Sequence, residues 1–243
     1  MTSERTFVGV SSVAFALSAA VTVSWCVSMS AVPGMEMPGD WTMSMAWMRM
    51  PGQSWPGAAA AFLGMWAVMM VAMMLPVVAP RLLEYRRAGG AAGSAALAYF
   101  GVWATLGVVV YPLGLLLAEA AMRWPALARV EPLLAGSTVA LAGAMQFSRW
   151  KQRALECCRE AQDCCAPSRS AWRHGAELGL QCMRCCAGLT LVLLVLGVME
   201  LRAMALVTGL IAVERLAPHG ERWARAIGAV LVVTGIGALI LSK

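Results

Sequence analysis

The sequence predicts an all-α fold: a polytopic transmembrane helix bundle of about six to seven spans, forming a single integral membrane domain over residues 1–243. Hydrophobic residues make up 60% of the chain and charged residues 13%, whereas a soluble domain carries about 25% charged residues. Several apolar runs reach the roughly 20 residues that cross a bilayer. Basic residues are scattered between these runs and form no contiguous patch, which argues against a nucleic-acid partner.

The N-terminal half contains three predicted spans and one loop. The first apolar run, Phe7 to Ser30, is long and is followed by a poor cleavage site, so we expect an uncleaved span rather than a signal peptide. Four prolines interrupt residues 31–57 and exclude one continuous helix there. The second span covers Ala58 to about Pro80, and the third covers roughly Ser94 to Ala118.

The C-terminal half continues the alternation of apolar and polar segments. The fourth predicted span is Leu133 to Phe147, and a polar, cysteine-rich segment over 148–174 follows it. The fifth span is Gly175 to about Met199, and the last is Trp223 to Leu241. Between them, the apolar run 203–216 would rise only about 21 Å as a helix, less than the roughly 30 Å hydrocarbon core. The number of predicted spans is therefore six if this segment does not cross the membrane and seven if it does.

The distribution of basic residues predicts an orientation. With the N-terminus inside and seven crossings, the inside segments hold 13 of the 19 lysines and arginines and the outside segments hold five. This asymmetry follows the positive-inside rule. It predicts a cytoplasmic N-terminus, an extracytoplasmic loop rich in methionine and tryptophan over 31–57, and a cytoplasmic cysteine-rich loop over 148–174.

Methionine is concentrated in one region, since twelve of the eighteen methionines lie between Met29 and Met74. A thioether is a soft, neutral ligand that suits Cu(I). In the second span, methionines at four-residue spacing form a ridge along one side of the helix. Core packing is the alternative explanation, because methionine fills irregular gaps. The candidate ligands are Met35, Met37, Met43, Met45, Met48 and Met50 in the loop and Met65, Met69 and Met73 in the ridge.

Seven of the eight cysteines are clustered in the C-terminal half. Thiolates bind Cu(I) or Zn(II), the CxxC pair Cys182 and Cys185 permits thiol–disulfide exchange, and burial as small apolar side chains is the third explanation. A reducing cytoplasm disfavours structural disulfides. The charged neighbours of the paired cysteines argue against buried packing, and the soft methionines elsewhere in the chain favour metal binding over thiol–disulfide exchange. Copper is the first candidate, and zinc is a possibility at the cysteine clusters. The candidate ligands are Cys157, Cys158, Cys164, Cys165, Cys182, Cys185 and Cys186.

The remaining polar residues give weaker signals. The sequence contains no nucleotide-binding loop, nucleophile elbow, HExxH or paired-carboxylate motif, so it favours a role other than enzyme without deciding the matter. Glu214 and Arg215 close an apolar run, and we expect them to anchor a helix end at the membrane surface. His174 and His219 lie in polar segments, where we expect solvated side chains.

Three stretches resemble a bacterial family catalogued as predicted metal-binding integral membrane proteins, a domain of unknown function. They are DWTMSMAWMRMPGQSWPGAAAAFLGMWAVMMVAMMLP (40–76), QFSRWKQRALECC (146–158) and CCAGLTLVLLVLGVMELRAMALVTGLIAVERLAPHG (185–220). The resemblance implies metal binding in the bacterial cytoplasmic (inner) membrane. Two departures stand out: Val77 replaces a serine expected in the family, and Cys164 and Cys165 exceed its usual pattern.

These observations predict an integral membrane protein that binds a soft metal ion, copper first, for transport, delivery or homeostasis. The expected partners are the lipid bilayer, the metal ion and another membrane or metallochaperone protein. Two alternatives stay open. One is a membrane thiol–disulfide oxidoreductase that uses Cys182 and Cys185, and the other is a non-catalytic accessory subunit of a membrane complex.

Overall fold

A computed structural model describes residues 2–30, 35–37, 41–43, 47, 52–159 and 170–241 of the chain. Within these ranges the fold is α-helical apart from one short antiparallel hairpin, so the predicted all-α class is confirmed. The helices are α1 (Thr2–Ser30), α2 (Trp55–Arg87), α3 (Ala92–Arg123), α4 (Pro125–Met145), α5 (Arg149–Arg159), α6 (Ala171–Leu196), α7 (Leu201–Leu216) and α8 (Gly220–Leu241). The hairpin consists of β1 (Met35–Met37) and β2 (Trp41–Met43).

Among the described residues, five helices are long and apolar enough to cross a membrane: Glu4–Met29 of α1, and α2, α3, α6 and α8 over their full lengths. This is fewer than the six to seven spans predicted, and α4 and α7 account for the difference. α7 has only 16 residues. α4 has 21 residues, but Arg129 and Glu131 interrupt its first half. It begins eight residues before the predicted start because Pro125 lies in its first turn, a position that proline favours.

Local sequence explains where several helices begin and end. The Ser54 side chain accepts a hydrogen bond from the backbone N–H of Gly57 (3.2 Å) and caps α2. Ser170 caps α6 in the same way through Arg173. α2 ends at a turn in which Gly89 has φ +85°, a left-handed conformation that glycine adopts without strain.

The two ends of the bundle differ in chemistry. Three contacts identify one end, which we call the basal end: Arg87–Glu4 (2.6 Å), Tyr85–His174 (ring centroids 4.0 Å apart) and Lys151–Glu214 (2.6 Å). The opposite, distal end carries the hairpin, the start of α2 and the turn between α3 and α4. The burial of His174, which is 3% exposed, contradicts its expected place in a solvated loop.

Glycines allow two pairs of helices to approach closely. On α4, a Cβ added at Gly143 would lie 2.8 Å from the Gly228 carbonyl oxygen of α8, closer than real Cβ contacts come. On α6, a Cβ at Gly175 would overlap the backbone of Ala95 in α3. Small residues at helix interfaces favour this kind of packing in membrane bundles. The α3–α6 contact fixes the position of α6, which carries three of the candidate cysteines.

Candidate functional site

The methionine ridge of α2 faces the interior of the bundle. Met65, Met69 and Met73 are 4%, 1% and 3% exposed. The adjacent row, Met70 and Met74, is equally buried. The five thioethers therefore lie in the core rather than on a surface that would face lipid.

Two more sulfur atoms meet between α1 and α7. The Sγ of Cys26 lies 3.7 Å from the Sδ of Met204, and both residues are buried. Neither residue was a predicted ligand. They belong to the same continuous core as the ridge, so they extend its sulfur-rich part across the bundle.

The described part of the methionine-rich loop packs against the distal end of the bundle. In the hairpin, Met35 lies opposite Met43. Met37 is 8% exposed and packs with Trp47 against small residues of α3 and α4, namely Ala118, Ala121 and Ala128. Met45, Met48 and Met50 lie outside the described residues. Of the loop candidates, Met37 alone has a described side chain.

An aromatic stack connects this loop to the ridge. The ring of Trp47 lies 5.3 Å from that of Phe62, which lies 5.9 Å from Trp66 and 4.9 Å from Tyr111. The indole N–H of Trp66 donates to the backbone carbonyl of Trp103 (2.9 Å), which joins α2 to α3. The aromatic rings thus cover the distal end of the methionine ridge.

Four cysteines form a cluster at the basal end, which we call the thiol cluster: Cys158, Cys182, Cys185 and Cys186. All four are buried free thiols. The Sγ atoms of Cys182 and Cys186 are 3.9 Å apart. The Cys185 sulfur accepts hydrogen bonds from the thiols of Cys158 and Cys186. Helical spacing on α6 creates three members of the cluster, and α5 supplies the fourth.

Two hydrogen-bond donors point at one sulfur of the cluster. Arg215 Nη1 lies 2.9 Å from Cys182 Sγ, and the Tyr99 hydroxyl donates to the same sulfur at 3.0 Å. A guanidinium and a hydroxyl favour the thiolate over the thiol. Cys182 is therefore prepared to act as a soft anionic ligand. Arg215 points inward at the cluster, which contradicts its expected role as a surface anchor.

A buried ion pair joins α5 to α7 next to the thiol cluster. Lys151 Nζ lies 2.6 Å from a carboxylate oxygen of Glu214, and the Gln146 amide donates to the other oxygen (2.8 Å). Lys151 also donates to the backbone carbonyl of Cys185. Lys151 and Glu214 are 4% and 1% exposed, so Glu214 is no surface anchor either. This network holds α5, and with it Cys158, against α6 and α7.

The pKa values of Cys158 and Lys151, both on α5, are raised for different reasons. The hydrogen bond to Cys185 and burial raise the pKa of the Cys158 thiol well above its ordinary value, so Cys158 is protonated at neutral pH. Burial alone would lower the pKa of Lys151, but the charges at Cys185 and Glu214 outweigh burial and raise it. Lys151 therefore remains a cation inside the protein.

The remaining candidate cysteines are Cys157, Cys164 and Cys165. Cys157 precedes Cys158 on α5 and is disulfide-bonded, so it offers no free thiolate. Cys164 and Cys165 lie outside the described residues. In the part of the chain that the structure describes, no group of three or more histidine, cysteine, aspartate or glutamate side chains is arranged to hold a metal ion. The thiols of the cluster touch one another and would have to spread apart to surround an ion.

A cavity of about 750 Å³ opens beside the cluster at the basal end. Cys158 and Arg215 form part of its wall, so the cavity reaches the cluster from the side of α5. His219, at the turn between α7 and α8, also contributes to the wall. Val77, where the resembled family was expected to carry serine, lines the cavity as well.

The sequence predicted the cysteines and the methionine ridge as candidate ligands but did not point to the polar groups around them. One signal was available for Lys151: it shares a helical face with Leu155 and Cys158 at spacings of four and seven, and all three are buried. No comparable signal marks Tyr99, Gln146 or Glu214, because their partners lie 63 to 83 residues away in the sequence.

Most of the chain matches a known protein family. A family model described as PpoB2, copper chaperone, matches residues 63–238. The match includes the ridge from Met65 onward, the thiol cluster and the residues that line the cavity. No curated protein matches the chain, and no solved structure matches it.

Proposed function

Because the chain belongs to the PpoB2 copper chaperone family, we propose that it is a membrane-embedded copper chaperone. It takes up Cu(I) at the distal methionines, carries it along the ridge of α2 and holds it at the thiol cluster for delivery. The family membership gives the chain a copper-related role. Placement in the bacterial cytoplasmic membrane, with six or seven crossings and the basal end in the cytoplasm, is part of the proposal.

One observation carries this proposal: the thioethers of α2 and the thiols of the cluster belong to a single buried core. Thioethers bind Cu(I) without losing a proton, and thiolates bind it more strongly as anions. A path that begins with thioethers and ends with thiolates therefore holds the ion more tightly toward the basal end. Such sulfur ligands suit Cu(I), whereas magnesium and calcium prefer oxygen ligands.

Packing explains the buried methionines only in part. Leucine has a similar volume and would fill the same space, and exchange of leucine and methionine in a core usually costs less than about 1.5 kcal/mol. This similarity also makes a clean experiment possible. Methionine-to-leucine variants should keep the fold while removing the sulfur ligands.

Copper bound per chain, measured on the purified, reduced protein under anaerobic conditions with Cu(I), tests the proposal. We expect wild type to bind copper, and we expect the triple variant Cys182→Ser, Cys185→Ser, Cys186→Ser to lose the tight site. Met65→Leu, Met69→Leu and Met73→Leu together should slow loading. The control is Met122→Leu on the exposed face of α3, which should leave binding unchanged. Near-zero binding in wild type and variants alike would refute the proposal.

A second candidate function is thiol–disulfide exchange at Cys182 and Cys185. The observation that favours it is the pair of donors on Cys182, because a stabilised thiolate is the nucleophile in such exchange. Thiol trapping followed by mass spectrometry distinguishes the two functions. A redox-sensitive Cys182–Cys185 disulfide favours the oxidoreductase, and trapping of both residues as free thiols under all redox conditions excludes it.

A further inference from the structure

The cavity at the basal end has a charged lining. Its wall includes three guanidinium groups, on Arg81, Arg215 and Arg222, and three carboxylates, on Glu84, Glu156 and Glu221. Its volume of about 750 Å³ falls within the roughly 300–1,000 Å³ of small-molecule sites. A bare ion needs no such space. A ligand that matches this wall carries both carboxylate and ammonium groups.

Arginine is well suited to recognise the carboxylates of such a ligand, because its planar donors bind both oxygens at once. Carboxylates in the wall attract an ammonium group and repel polyanions such as nucleotides. The mixture of charges therefore favours a zwitterionic, peptide-like molecule over a phosphate ester.

The cavity also reaches the thiol cluster. Cys158 lies in its wall and belongs to the same buried core as Cys182, Cys185 and Cys186. Arg81 holds this part of the wall in place, because its Nη2 donates to the Cys158 carbonyl (3.2 Å) while its Nη1 pairs with Glu84 (3.0 Å). An ion that leaves the cluster toward the cavity passes Cys158. A soft ligand for this ion must then be present in the cavity.

Arg215 links occupancy of the cavity to the cluster. Its guanidinium lines the cavity and also donates to Cys182 Sγ at 2.9 Å. A ligand carboxylate that binds this guanidinium competes with the Cys182 sulfur for the same donors. Binding in the cavity would thereby loosen the contact that holds Cys182 in the cluster.

From this arrangement we infer that the cavity is a binding site for a low-molecular-weight thiol that carries carboxylate and ammonium groups, and that this thiol exchanges Cu(I) with the cluster through Cys158. The exchange itself rests on the proposed function. In each transfer one Cu(I)–sulfur bond to the cluster breaks and one to the carrier sulfur forms. The carrier thiol releases its proton to water, and the vacated cysteine takes a proton from water, so no oxidant or reductant is needed.

Calorimetric titration of the copper-free, reduced protein with reduced glutathione tests the site. We expect saturable binding, and about tenfold weaker binding for Arg222→Gln because it removes a charge-assisted contact. Arg225→Gln is the matched control: Arg225 lies on the same helix and is exposed, but it does not line the cavity. S-methylglutathione should bind like glutathione, and 2-mercaptoethanol should not. Absence of saturable glutathione binding, or equal binding by Arg222→Gln and Arg225→Gln, would overturn the inference.

Copper transfer is measured separately on protein loaded with Cu(I). Glutathione should withdraw copper at least several-fold faster than S-methylglutathione or 2-mercaptoethanol at equal concentration. Arg222→Gln should remove the advantage over 2-mercaptoethanol, which does not use the cavity, and keep the advantage over S-methylglutathione, which lacks the thiol. A protein that binds glutathione but no copper would refute the proposed function and leave the cavity site standing. A protein that binds copper but releases it equally to all three reagents would refute the exchange and leave the proposed function standing.

Discussion

The cysteines of the thiol cluster differ in their hydrogen bonding, because each has different neighbours. Cys182 receives two donors, whereas Cys158 is itself a donor to Cys185. The four thiols are therefore not interchangeable, although the sequence presents them as similar residues. Cys158 borders the cavity, and its protonation controls how readily it reacts from that side.

The reactivity of Cys158 toward iodoacetamide provides a prediction. Because the hydrogen bond to Cys185 raises the pKa of Cys158, the thiolate fraction at pH 8 is small and alkylation is slow. Cys185→Ala removes the acceptor, so the apparent pKa of Cys158 should fall and alkylation at pH 8 should become faster. Peptide mass spectrometry over a pH series measures this. Cys26→Ala, far from the cluster, should leave the profile unchanged.

The ends of the apolar helices could be predicted from the sequence, but a contact that positions α5 could not. The bounds of the apolar helices follow from hydrophobic runs, and the predicted ends agree with α2, α3, α6 and α8 to within several residues. By contrast, the buried Lys151–Glu214 pair joins residues 63 positions apart. Local spacing could not predict that contact, because only the packing of α5 against α7 creates it. The same limit explains why Glu214 was expected at a membrane surface.

The ion pair between α5 and α7 should contribute strongly to stability. Removing one partner of a buried pair leaves an uncompensated charge and costs about 3–5 kcal/mol. We therefore expect Glu214→Gln to lower the free energy of unfolding by this amount, measured by denaturation in detergent. The double variant Lys151→Met, Glu214→Leu should recover most of the loss. Glu119→Gln, which breaks the exposed pair with Arg123, should cost less than about 1 kcal/mol.

The glycine contacts between α4 and α8 predict a contrast between two neighbouring positions. A Cβ at Gly235 would lie 2.8 Å from the Gly136 carbonyl oxygen, whereas a Cβ at Gly237 meets nothing within 4 Å. Gly235→Ala should therefore force α8 away from α4 and lower the melting temperature. Gly237→Ala on the same helix should leave the melting temperature unchanged or raise it, since alanine favours helix by about 1 kcal/mol. Equal effects at the two positions would contradict the close approach.

Across the bundle, the methionine ridge and the thiol cluster lie toward opposite ends, and one core contains both. Basic residues collect at the basal end, where Arg81, Arg86 and Arg87 lie with α5 and the turn before α8. The membrane orientation predicted from these residues stays a prediction. The sequence did not reveal that the ends differ in access. Aromatic rings cover the distal end of the ridge, whereas a cavity opens at the basal end.

The proposed orientation can be tested in intact cells. Arg123→Cys places an exposed thiol at the distal end, and Arg173→Cys places one at the basal end. A membrane-impermeant maleimide should label Arg123→Cys in intact cells and Arg173→Cys only after the membrane is permeabilised. The reverse pattern would invert the topology and assign the thiol cluster to the outside.

The neutrality of the methionine ridge has an electrical consequence. Thioethers carry no charge and release no proton, so a monovalent cation that travels along them moves its full charge through the low-dielectric part of the bundle. Each elementary charge that crosses a membrane potential of 100 mV gains or loses about 2.3 kcal/mol. With a negative interior, this work favours movement from the distal to the basal end. The membrane voltage itself would then help to load the thiols, without hydrolysis of a nucleotide.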